Sequence, residues 1–137
     1  MKFFLIIFIF INGCASTTLD TESGVSRTQL LLLPKFMAHS MAVDAYKEAI
    51  RNAEKNNKLN NDKELLKRVK NISYNLIDEV EVFRDDAKEW KWEINIEESE
   101  EVNAYCMPGG KIMVYSGLVE KTDATDDELA AVIGHEM

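Results

Sequence analysis

Cysteine, histidine and proline each occur only twice in this 137-residue chain, and basic residues are outnumbered by acids 24 to 16. The two cysteines, Cys14 and Cys106, exclude a disulfide framework, because a single pair is the most the chain could form. The deficit of Lys and Arg, which leaves a formal net charge of −8, argues against a nucleic-acid partner, since neutralising phosphates needs bases in excess. No apolar run reaches the roughly 20 residues that a membrane-crossing helix requires. Aromatic and aliphatic residues are not scarce, however. Hydrophobic residues make up 46% of the chain, enough for a core, and the length suits one domain.

The longest apolar run, Phe3 to Ile11, follows Lys2 and precedes Asn12-Gly13-Cys14-Ala15-Ser16. Its size and flanks are those of a secretory h-region. The stretch Ile11-Asn12-Gly13-Cys14 resembles a lipobox, with Asn12 a less usual residue at its position; an ordinary signal peptide and an N-terminal anchor are the alternatives. The resemblance implies that residues 1–13 are a removable lipoprotein signal, that Cys14 is acylated, and that the mature chain is held to a membrane by its N-terminal lipid. Ala15 is not the Asp that favours inner-membrane retention, so the expected location is the bacterial envelope, on the outer membrane facing the periplasm. With Cys14 lipidated, Cys106 has no disulfide partner, and no basic group or His lies near it in sequence to activate it. It reads as a small packed hydrophobe.

Residues 14–34 are rich in Ser, Thr and charge without periodicity and read as a flexible tether, closed by Leu30–Leu33 and Pro34. From Lys35 to about Asn57 the spacing of Ala42, Tyr46, Ala49 and Ala53 predicts a helix with an alanine-rich stripe. His39 on this helix has no second candidate ligand near it in sequence, and reads as solvated or capped. The break at Lys58-Leu59-Asn60-Asn61 precedes a second helix, capped by Asn61 or Asp62, whose stripe is Leu65, Val69, Ile72, Leu76 and Val80. These two segments are expected to form an antiparallel pair. Trp90, Trp92, Ile94 and Ile96 then alternate with polar residues as in a half-buried strand. The run Glu97–Glu101 reads as a solvated acidic turn rather than a metal site. Val102–Met107 and Lys111–Tyr115, joined through Pro108-Gly109-Gly110, predict a hairpin. A short apolar and polar passage leads from there to Thr122.

The last segment carries the most chemistry. Thr125-Asp126-Asp127-Glu128 matches a capping box, so a helix starts there and runs through Leu129, Ala130, Val132 and Ile133 to His135 and Glu136. In an H-E-x-x-H helix the two His lie one turn apart and grip zinc, while the Glu beside the first takes a proton from the metal's water. A His-Glu dipeptide alone carries little weight. Here it follows Asn103-Ala104, Pro108-Gly109-Gly110-Lys111 and Asp127-Glu128-Leu129-Ala130-Ala131-Val132, with Gly134 directly before it. This combination resembles the M48 family of zinc metalloendopeptidases, most closely its bacterial periplasmic lipoprotein members. The likeness covers nearly all of the chain beyond the tether, including Trp90-Lys91-Trp92-Glu93.

The resemblance implies an α+β fold: the N-terminal part of a zincin-like metalloprotease domain over 35–137, with the helical pair followed by a small antiparallel sheet and the start of the active-site helix. It implies that His135 is the first metal ligand and Glu136 the general base, with one Zn2+ per complete domain. It places Lys111–Tyr115 where substrate backbone pairs with an edge strand, and implies unfolded or misassembled envelope proteins as substrates. The second His would fall at 139 and the third ligand later still. Three protein ligands are needed, so the 137 residues are expected to be inactive alone, as the N-terminal part of a peptidase. The alternative is a non-enzymatic envelope lipoprotein acting as a binding or chaperone module. Lipidation is tested directly: Cys14→Ala should abolish incorporation of labelled palmitate, and continued labelling would refute the lipobox reading.

Overall fold

The computed structural model describes residues 14–16, 28–30 and 35–137. The segment 1–13, expected as a signal, lies outside the described residues. Of the 14–34 stretch expected as a tether, the described residues form two short strands, β1 (Cys14–Ser16) and β2 (Thr28–Leu30), paired antiparallel. The remainder follows in the order α1 (Lys35–Lys55), α2 (Lys63–Glu79), two 3-10 turns at Val80–Val82 and Asp85–Glu89, β3 (Glu93–Glu97), β4 (Ala104–Met107), β5 (Lys111–Tyr115), α3 (Ser116–Thr122) and α4 (Asp126–Glu136). This is the α+β composition expected from the sequence.

The helix starts obey local chemistry. Asp62 caps α2, its side chain accepting from the Leu65 N–H at 2.9 Å. Thr125 caps α4 in a full capping box, with the Glu128 carboxylate reaching back to the Thr125 N–H at 2.9 Å. The Thr125 backbone and side-chain donors hold the Glu128 carboxyl below its ordinary pKa. The stripe Leu65, Val69 and Ile72 is buried as its spacing requires, and Val80 extends it into the first 3-10 turn.

The sheet corrects two expectations. Its strand order is β3-β5-β4, with β5 antiparallel to β4 but parallel to β3, so the sheet is mixed rather than antiparallel. The cause lies in the loop from Ser99 to Glu101, which crosses the end of β5 and delivers β4 to its far side. Gly117 sits beneath that crossing and donates to the Ser99 carbonyl at 2.8 Å. A Cβ there would stand 2.7 Å from backbone atoms of Ser99, Glu100 and Glu101. The second correction concerns the helices. Rather than pairing with each other, α2 packs on β3 and α4 while α1 lies against β4. Strand alternation assigns the faces. Ile94, Ile96, Ile112 and Val114 point into the core with α2 and α4, whereas Asn95 and the fully buried Met113 point the other way. On that other side Tyr46 of α1 donates its hydroxyl to the Ile112 carbonyl at 2.7 Å and accepts from the Asn95 side chain at 3.0 Å.

Two further differences are local. The strand begins at Glu93, not at Trp90, because the indole of Trp92 donates to the Ala87 carbonyl at 3.0 Å and holds the residues before it against the second 3-10 turn. Trp90 is occupied by the Arg84 guanidinium, 4.5 Å from its ring centroid. The passage after Tyr115 is the short helix α3, ended by Asp123 in the left-handed region at φ 49°. Within the hairpin turn Gly109 and Gly110 both have positive φ, 88° and 75°, as expected for that connection.

The sheet's two outer edges differ. Beside β3, the α1–α2 linker supplies a bridge from Leu59 to Glu97. Asn60 donates its N–H to the Ile96 carbonyl at 2.9 Å and accepts from the Ile96 N–H through its side chain at 2.8 Å. That edge is covered. Two glycines give a paired test of this packing by chemical denaturation: Gly117→Ala is expected to destabilise the fold by about 1–3 kcal/mol through overpacking. Gly134→Ala, whose Cβ would meet Leu76 at an ordinary 3.9 Å, should stabilise α4 by up to about 1 kcal/mol.

Candidate active site

The last turn of α4 carries His135 and Glu136, both exposed. The buried side of the same helix, Leu129 and Ile133, fixes its orientation against the core. α4 packs beside β4, so the His-Glu pair stands next to a strand that has one neighbour among the described residues. Among the described residues no strand pairs with the other edge of β4. Tyr115 donates to the Asn103 carbonyl at 3.1 Å, which sets the phase of the ladder. Tyr105 and Met107 therefore bond to β5, while Ala104 and Cys106 turn their backbone groups outward. The Ala104 N–H is taken by the side-chain oxygen of Asn103 at 2.9 Å. The Ala104 carbonyl and both backbone groups of Cys106 face the open side.

This revises the expected role of Lys111–Tyr115. That segment is β5, the middle strand, and both of its edges are already paired. It cannot accept another backbone. β4 is the edge strand of the described sheet, and the sequence patterns do not identify it because the partner that converts β5 into an interior strand, β3, pairs with it across 18 positions. Lys111 has a structural part instead. Its buried ammonium donates to the Lys91 carbonyl at 2.6 Å and to the Glu93 carboxylate at 2.5 Å, tying the start of β5 to the start of β3.

Cys106 is half-buried, and burial, reinforced by the negative charge of Glu136, pushes its thiol up to about 11. Arg84 offsets this only in part. The side chain is a packed thiol, as its sequence context suggested, and it marks the proximity of β4 to Glu136. Tyr105, at the same strand, is raised to about 12, first by burial and then by Tyr115, whose ring lies edge-on at 6.2 Å. His39 lies on α1 with its ring over the hairpin turn, where a Cβ on Gly109 would come within 2.4 Å of it. It is remote in role from His135, and the structure brings no second imidazole to the candidate site. Cys14 belongs to β1, and nothing is described of its side chain.

Among the described residues no group of three or more His, Cys, Asp or Glu could hold a metal ion. Zinc needs three protein ligands; the described chain offers one imidazole beside one carboxylate. These residues do not by themselves fit a zinc ion.

A family profile described as "Peptidase family M48" matches residues 64–137, more than half of the chain, including the three-stranded sheet, α4 and all but the first residue of α2. The chain belongs to peptidase family M48. It is similar to mitochondrial metalloendopeptidase OMA1 of Arabidopsis thaliana, 48% identical over 48 residues that make up 34% of this chain and 9% of that protein. It is also similar to metalloprotease LoiP of Escherichia coli strain K12, 54% identical over 39 residues, 28% of this chain and 15% of that protein. The chain thus matches only a small fraction of the length of these relatives. No solved structure matches it. In this M48 chain, thiol reagents should modify Cys106 far more slowly at neutral pH than a cysteine in the unfolded chain. Because the thiol is raised, modification should accelerate only as pH climbs toward about 11; rapid labelling of the native Cys14→Ser protein at pH 7, followed by absorbance, would contradict the packed environment.

Proposed function

We propose that this chain is the N-terminal part of a lipid-anchored, zinc-dependent endopeptidase that hydrolyses unfolded or misassembled envelope proteins. The single observation that carries the reading is the juxtaposition of His135 and Glu136 with the open edge of β4. A peptide laid along β4 can satisfy the outward carbonyl of Ala104 and both groups of Cys106 by adding a strand. Such pairing selects extended backbone rather than side-chain identity, which suits unfolded chains as substrates.

His135 is the one imidazole here able to serve as a metal ligand, and the remaining ligands would follow residue 137. Glu136 adjoins it on the same turn, exposed to solvent and able to accept a proton there. In a complete site zinc supplies Lewis acidity and water activation. β4 orients the peptide, the buried face of α4 holds the His-Glu pair in place, and the capping box fixes where that helix begins. Lipid at Cys14 would restrict the enzyme to a membrane surface, with the outer membrane facing the periplasm as the proposed location.

The reading is tested in two steps. The reading frame downstream of Met137 should continue through a His two codons later and a further helical Glu. Expressed in full, that protein should bind one zinc and cleave an unfolded protein such as casein. Glu136→Gln should lower its kcat by roughly 10²–10⁴ through loss of the general base, with zinc content unchanged. A stop codon at 138 combined with a stable product that neither binds zinc nor cleaves would favour the binding-module reading instead.

A further inference from the structure

We draw no further inference here: the strongest candidate, the cavity of about 480 Å³ between the first half of α1, the second 3-10 turn and the starts of β3 and β5, carries nothing because Lys47, Lys91 and Lys111 share its wall with Glu89 and Glu93, so its charge selects no ligand and nothing in the structure shows what fills it.

Discussion

Pairing of β5 on both of its edges is the constraint on which the remaining architecture rests. Its residues Lys111 to Val114 are buried, its parallel ladder with β3 and antiparallel ladder with β4 consume its backbone groups, and its Ile112 carbonyl also receives the hydroxyl of Tyr46. Once β5 is interior, β4 must be the outer strand on the side of α4. The buried Lys111 ammonium and the tight crossing over Gly117 secure the two ends of β5. The position of His135 and Glu136 beside that edge is thus inherited from the pairing of β5.

The asymmetry of the two edges has an energetic logic. An unpaired edge exposes donors and acceptors that invite unwanted strands. On the β3 side the fold removes that liability with Asn60, whose side chain and backbone together imitate a short neighbouring strand. Asn60 adopts a left-handed conformation at φ 54°, tolerable for Asn and costly for most other residues. On the β4 side, among the described residues, Asn103 covers a single N–H. A sheet that shields one margin and leaves the other accessible beside ionisable side chains has the layout of a recognition surface.

Local signals were legible in the sequence. The capping box at Thr125, the Asp62 cap, the α2 stripe and the Gly109-Gly110 turn depend on residues within a few positions of one another, and all are present. The His-Glu pair was placed on the correct helix for the same reason. What the sequence hid depends on distant pairings. Neither the parallel alignment of β3 with β5 nor the separation of α1 from α2 across the sheet leaves a periodic trace. Even Met113, buried under α1, has the same alternation phase that an exposed strand face would show. The helix α3 leaves little trace in the sequence because seven residues with Ser116 and Gly117 at the start offer no side-chain cap. The strand onset is obscured because Trp90 and Trp92 alternate like strand residues while bonding to a 3-10 turn.

The brevity of β4 sets a footprint. Four residues at about 3.4 Å each make an edge of roughly 14 Å, and the bond from Asn103 occupies its first outward donor. A partner backbone can therefore ladder with only a few residues, which limits how much affinity the edge can supply. An extended chain laid on an edge of this size would be gripped briefly and released readily, its residence governed more by local concentration than by any particular sequence.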